Sequence, residues 1–427
     1  MVGAVFAVIG AVLQATASTV SHMIVGRIVT GLGVGCINCI CPVLLAESAT
    51  PKSRGRLACV QLSTLNAGIM MAYWVDYGFN QIASKPAYAW RIPVALQIVF
   101  MVAILLLAIV VPETPRWLAA HGRGDEALIV LSRLADRDSS DAGVQETYQG
   151  IMHAVELERD AGVGSWREIL KGDKIKSRRR FLIACGIQFA QQIGGINGLI
   201  FYSGIIFSQS IRLSNSTANL VSGLLFTWFF VASFIPHFII DWAGRRKLLL
   251  FTVTGMSLIF AIEAGLIKQL QEVGYNKPIG IAAAAMLFLF LGLFTIGFQA
   301  VVWLIPSEVL PLRLRNKGSA VSTASNWITN YAIVQITPIG IKNLGWKFYL
   351  IFFAINLVAV GFIYWFIPET AGMSLEAVDD LFIGATGCAG KWRAKEGRTT
   401  QIHRRNTSSS ADYETKVGIS SSHHEVS

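Results

Sequence analysis

Charge is scarce in this chain. Only 15% of its 427 residues are Asp, Glu, Lys or Arg, where a soluble globular domain holds about a quarter. With 53% hydrophobic residues beside it, that shortage argues against a soluble domain. Cysteine is also sparse. Cys36, Cys39, Cys41, Cys59, Cys185 and Cys388 show no recurring metal-type spacing, and all but the last lie in or beside apolar runs. They read as reduced packing residues, with no disulfide framework and no metal site. There is no nucleophile elbow, phosphate loop or metal cluster, so the chain does not read as an enzyme and implies no cofactor. No basic segment precedes the first apolar run, which argues against a signal peptide.

What fills the chain is apolar runs of membrane-spanning length. They fall at 2–18, 22–46, 57–78, 91–111, 181–208, 216–240, 248–268, 279–304, 317–339 and 347–367. A helix satisfies its own backbone hydrogen bonds, so lipid can surround each one. The pattern predicts an all-α membrane protein with ten spans. The net charge of +10 points to topology rather than nucleic acid, because the Lys and Arg residues cluster in alternate gaps. Lys52, Arg54 and Arg56 share one gap, Arg245, Arg246 and Lys247 another, and Arg313, Arg315 and Lys317 a third. The positive-inside rule then puts both termini and the central polar stretch in the cytosol.

Two segments repeat. Glu47 to Gly55 resembles Glu308 to Arg315, and Pro112-Glu113-Thr114 resembles Pro368-Glu369-Thr370. Two parallel halves of a transporter produce such a pattern. The expected organisation is an N-terminal transmembrane half over 1–111 and a cytosolic loop with short helices over 112–180. A C-terminal half follows over 181–367, then a mostly disordered cytosolic tail over 368–427. On the repeat offset, the first half is expected to be short by two helices, and residues 1–427 alone are expected not to transport.

Several motifs together resemble the sugar-porter family of the major facilitator superfamily. They are Gly26-Arg27, Glu47 with Arg54-Gly55-Arg56, Pro112 to Arg116, and Gln191-Gln192 with Gly195-Ile196-Asn197. Asp241 with Gly244-Arg245-Arg246, Pro306 with Glu308, Asn326-Trp327 and Pro368-Glu369-Thr370 complete the set. The stretches 72–79 and 90–97 resemble the fungal branch that holds yeast glycerol–proton symporters and hexose transporters. The resemblance implies the major facilitator fold with ten of its usual twelve helices. It also implies a multi-pass protein of the plasma membrane, whose partners are a sugar or polyol, the lipid bilayer and, in coupled members, protons.

A polyhydroxy substrate needs neutral groups that both donate and accept, which Gln and Asn supply without the cost of burying charge. Gln188, Gln191 and Gln192 share one helix face at i, i+3, i+4, and Asn326 and Asn330 share another. Such residues also tie membrane helices together, which is the preferred reading of Gln188. The resemblance assigns substrate contacts to Gln191, Gln192, Asn197, Trp303, Asn326 and Asn330. Phe201, Leu62 and an aromatic near Phe229 stand where hexose carriers place polar groups, which favours a polyol or an unusual sugar over glucose.

The resemblance also assigns a cytosolic gate of salt bridges, latching the two halves, to Glu47, Arg54, Arg116, Asp241, Arg245, Glu308 and Arg315. Arg27 lies inside an apolar span, where an unpaired charge is costly. It is the proton-coupling candidate, unless it snorkels to the outer surface. Asp76 and Glu263 are expected at the membrane interface. The leading function is transport of a small polyhydroxy compound by alternating access, as facilitator or proton symporter. The alternatives are an inactive truncated fragment and a transporter-like nutrient sensor.

Overall fold

The computed structural model describes residues 1–48, 54–82, 86–161, 166–170, 173, 176–274, 276–371, 378 and 381–382. Every regular element among them is helical. Four long helices come first: α1 (Val2–Ala15), α2 (Val20–Ser48), α3 (Arg54–Ile82) and α4 (Pro86–Val110). Four short ones follow: α5 (Pro115–Ala120), α6 (Gly124–Ala135), α7 (Ala142–Ala161) and α8 (Trp166–Leu170). The rest form a second bundle: α9 (Ser177–Ile193), α10 (Ile196–Ile205), α11 (Asn215–Ala232), α12 (Pro236–Ala243), α13 (Arg245–Glu272), α14 (Lys277–Leu293), α15 (Ala300–Val309), α16 (Arg315–Leu344) and α17 (Trp346–Phe366). Most of the expected tail lies outside the described residues.

Among the described residues, six helical stretches are long and apolar enough to cross a membrane: Val20–Cys41, Ala87–Val110, Asn215–Ile240, Arg245–Glu272, Lys277–Val309 and Trp346–Phe366. The other four expected spans are helical as well, but differ for physical reasons. Helix α1 is apolar but only 14 residues long. Helices α3, α9 and α16 spend core-facing positions on Asn66, Gln188, Gln191, Gln192, Asn326 and Asn330, all of them buried.

In the first bundle, α1 and α2 meet through small residues. A Cβ on Gly33 would lie 2.4 Å from the Ala7 backbone nitrogen, and one on Gly10 would lie 2.4 Å from that of Thr30. Such a crossing lets backbones approach closely. Gln14 locks it by donating from Nε2 to Thr30 Oγ1 at 2.6 Å.

The short helices begin where the sequence supplies caps. Thr114 accepts from the Trp117 backbone N–H and is followed by Pro115 at the first helical position, the arrangement that satisfies a helix start. Leu118, Ala119 and Ala127 form their small core, closed by Val130, Tyr148 and Ile151.

The second bundle has a continuous aromatic and aliphatic core, with Phe226, Phe229, Phe260, Phe290, Phe298 and Phe352 inside it. Its helices are interrupted rather than straight. The pass α9–α10 breaks at Gly194-Gly195, and Gly195 has φ +94°, a conformation that favours glycine. A Cβ there would also lie 2.7 Å from the Phe352 ring. This pass ends in a π-helical turn, Ile206–Ser210, and a second π turn, Phe294–Gln299, joins α14 to α15. Such turns redirect side chains within an otherwise regular helix.

Candidate transport site

The break at Gly194-Gly195 sets Asn197 at the start of α10, beside the last turn of α9. There its Nδ2 donates to Gln192 Oε1. Gln192 Nε2 donates in turn to Asn326 Oδ1 on α16 at 3.1 Å. Asn326 Nδ2 donates to Gln188 Oε1 at 2.7 Å and to Gln191 Oε1 at 3.0 Å. Two glutamines reach the third wall, with Gln188 Nε2 donating to Val302 O at 3.4 Å and Gln191 Nε2 to Phe298 O at 3.3 Å. Asn326 is therefore the hub that holds three glutamines, and Gln188 ties α9 to α15 and α16. Each primary amide has two donors and two acceptor lone pairs, so the network keeps capacity for a ligand while it stays internally bonded. Asn330 lies one turn along α16 and is buried. Trp303 is 38% exposed.

Opposite this network, α3 forms a seam with the second bundle. Asn66 and Gln299 exchange two hydrogen bonds, Asn66 Nδ2 to Gln299 Oε1 at 3.2 Å and Gln299 Nε2 to Asn66 Oδ1 at 2.9 Å. They are 0% and 6% exposed. Ser63 Oγ donates to Ser233 O at 3.2 Å, and Trp74 Nε1 to Thr227 Oγ1 at 3.0 Å. The Tyr73 ring stacks on Phe226 with centroids 3.9 Å apart, and its hydroxyl donates to Ile200 O. A small cleft beside the amide pair is lined by Leu62, Ser233, Pro236, Thr295, Gln299 and Ala300.

A family model for "Sugar (and other) transporter" matches residues 1–382. The chain belongs to that family. It is 36% identical over 384 residues to the MFS-type transporter oryC of Aspergillus oryzae, covering 90% of this chain and 71% of the relative. It is 35% identical over 390 residues to the sugar transporter STL1 of Saccharomyces cerevisiae, covering 90% and 67%. The structure of the proton:xylose symporter XylE bound to 6-bromo-6-deoxy-D-glucose matches with TM-score 0.73 at 23% identity, over 89% of this chain and 82% of that one. That likeness shows the major facilitator fold. The chain is thus a multi-pass membrane protein, and its relatives are transporters.

In this family member the charged residues gather at the Arg245 end of the second bundle. Arg245 Nε lies 3.5 Å from Glu308 Oε1, and Thr370 Oγ1 donates to Glu308 Oε2 at 2.5 Å. This pair ties α13 to α15 within one bundle, whereas the resemblance assigns Arg245 and Glu308 to a latch between halves. Glu369 accepts the backbone N–H groups of Arg245 at 2.8 Å and Arg246 at 3.1 Å. It thereby caps the start of α13, where the helix dipole favours an anion. Gly244 permits this, because a Cβ on it would lie 2.7 Å from Glu369 Oε2.

The other expected gate residues lie on several elements. Glu47 is half-buried in the last turn of α2, Arg116 in α5 and Arg315 at the start of α16. The Arg54 and Asp241 side chains lie outside the described residues. Arg27 occupies an exposed face of α2.

Glu263, expected at the membrane interface, is 0% exposed inside the second bundle. Helix α13 runs to Glu272, so Glu263 sits about 13 Å from that terminus. Asp76, expected at the interface as well, is exposed on α3. Asn66, Gln299 and Glu369 escaped the sequence reading of the site. The only signal for Glu369 was its place in the repeated Pro-Glu-Thr segment.

Proposed function

We propose that the chain moves a small polyhydroxy compound, a sugar or polyol, across the membrane by alternating access. The observation that carries this reading is the neutral amide network of Gln191, Gln192, Asn197 and Asn326 at a broken helix. Hydroxyl groups bind best where each partner both donates and accepts, and an amide does so without the desolvation cost of a charge. The names of relatives agree in class, since they include a sugar transporter and a proton:xylose symporter. Trp303 and Asn330 complete the proposed contact set, the indole offering an apolar face to C–H groups.

Alternating access requires the α3 seam to part and re-form. The Asn66–Gln299 pair holds it closed, and water can replace both partners once it opens. The Arg245, Glu308 and Glu369 end is proposed as the cytosolic face, by the positive-inside rule. Both termini then lie in the cytosol, and the plasma membrane is the proposed location. The halves fall at 1–111 and 181–367, with 112–180 as a cytosolic loop. Arg27, Glu47, Arg54, Arg116, Asp241 and Arg315 are proposed to act in gating or coupling around these halves. The test is uptake of labelled glycerol, xylose and glucose by the full-length protein in transporter-null yeast. Saturable uptake of at least one is expected, and no uptake of any polyhydroxy compound by surface-expressed protein contradicts the reading.

A further inference from the structure

Glu263 has no use in the site described above, and its surroundings are unusual for a carboxyl group. It is 0% exposed, and among the described residues neither carboxyl oxygen has a hydrogen-bond partner. Its helix neighbours Ile259, Phe260, Ala264 and Ile267 are buried and apolar. The Phe260 ring packs on Phe290 at 4.7 Å and Phe352 at 5.3 Å, closing one side.

The helices packed on α13 bring few titratable groups. Lys268 on α13 itself pairs with Glu272 at 4.0 Å and lies over the Trp346 ring. Lys347 on α17 also lies over Trp346, and Tyr364 lies under Arg246. Lys277 opens α14, and His237 sits in α12. Tyr349 of α17 is buried, packs on the Phe260 ring at 6.5 Å and is within electrostatic reach of Glu263. The Tyr349 hydroxyl donates to Ser210 Oγ at 3.1 Å. Ser210 ends the π turn that closes the pass carrying Gln192 and Asn197.

We propose that Glu263 is a proton-binding site inside the second bundle, linked to the substrate-carrying pass through Tyr349 and Ser210. This rests on the transporter reading. An ionised carboxylate with no partner is far costlier to bury than the neutral acid, so the site in this conformation holds the proton on a Glu263 oxygen. A partnerless acid adds nothing to bundle packing that an apolar side chain of the same length would not supply. When the bundle opens to water, the proton leaves to water and a carboxylate remains. A carboxylate is a much stronger acceptor than a serine hydroxyl. Tyr349, with a single O–H donor, turns from Ser210 to Glu263 and releases the π turn. Binding of a proton and binding of substrate are then reciprocal, which is the requirement for symport.

The experiment uses the purified full-length protein in proteoliposomes, comparing the parent with Glu263→Gln and Tyr349→Phe. A pH gradient of one unit supports about a tenfold substrate accumulation at one proton per substrate. The parent is expected to accumulate substrate under that gradient. Glu263→Gln is expected to only equilibrate it, while retaining substrate-for-substrate exchange at the parent rate. Tyr349→Phe is expected to keep exchange and lose most of the accumulation. Equal accumulation by parent and Glu263→Gln overturns the proposal, as does a parent that exchanges substrate but never accumulates it. Infrared spectroscopy supplies a readout independent of transport. A protonated-carboxyl band at neutral pH, absent from Glu263→Gln, is expected even if the substrate class is wrong. Identical carboxyl bands in the two proteins overturn the proton site.

Discussion

The two bundles of this chain are built on different principles. The first packs by subtraction: α1 and α2 meet where Gly3, Gly10, Gly26 and Gly33 leave no side chain in the way, and the apolar α4 has no fully buried residue in its spanning stretch. The second packs by interlocking, with phenylalanines, π turns and a glycine break that steer polar side chains inward. The contrast explains where chemistry sits. The close backbone crossing uses its amide, Gln14, as a lock, whereas the broken helix gathers several amides into one network. The first bundle meets the second through α3, whose Ser63, Asn66, Tyr73 and Trp74 form the seam.

The largest effect should come from filling the glycine crossing. Gly33→Leu forces α1 and α2 apart and is expected to cost about 3 kcal/mol or more, beyond ordinary overpacking. Gly35→Leu on the same helix is expected to cost under about 0.5 kcal/mol, because a Cβ there meets nothing within 4 Å. Thermal unfolding in detergent reads both. Equal losses would mean that the crossing does not hold the first bundle together.

Next in size is the hub of the second bundle. Asn326→Ala strips partners from Gln188, Gln191 and Gln192 at once. It is expected to weaken substrate affinity by about tenfold to a hundredfold, equivalent to about 1–3 kcal/mol. Half-saturation of uptake by the full-length protein measures it, with surface level as control. The seam should respond by a comparable or smaller amount but with a different signature. Asn66→Ala or Gln299→Ala leaves one buried amide unpartnered, a cost of about 1–3 kcal/mol, while Asn66→Leu with Gln299→Leu recovers most of it. A double-mutant cycle on thermal stability shows this as strong coupling, and additive losses would refute a paired contact.

The smallest effect lies in the polar helices between the bundles. Asp141 accepts from the Gly143 and Val144 backbone N–H groups and from Arg137. Those bonds, Gly143 first, hold its carboxyl below the usual carboxylate range. Its contribution is therefore present above the ordinary carboxylate pKa and is lost as pH falls through the lowered folded value. Acidification should loosen the start of α7 slightly, seen as lower amide-exchange protection, relative to the intrinsic rate at each pH, at Gly143 and Val144. Asp141→Asn should remove that pH dependence.

Much of this contrast was legible in residues. The recurring apolar runs announce helices in a membrane, and the spacing of Gln188, Gln191 and Gln192 announces a shared polar face. What was hidden depends on partners distant in sequence. Asn66 and Gln299 are 233 positions apart, so no local pattern pairs them. The repeat marks both Pro-Glu-Thr segments, yet Thr114 caps its own helix while Glu369 caps α13 across the fold. The burial of Glu263 was hidden for the same reason, because the side chains that enclose it come from helices distant in sequence.

The central claim is that the broken-helix amides bind a polyhydroxy substrate. Calorimetric titration of the purified full-length protein with glycerol, xylose and glucose tests it most directly, alongside Gln192→Ala. The account predicts that at least one compound binds the parent, and that Gln192→Ala weakens it by about tenfold to a hundredfold. Binding of equal strength in parent and variant would contradict it.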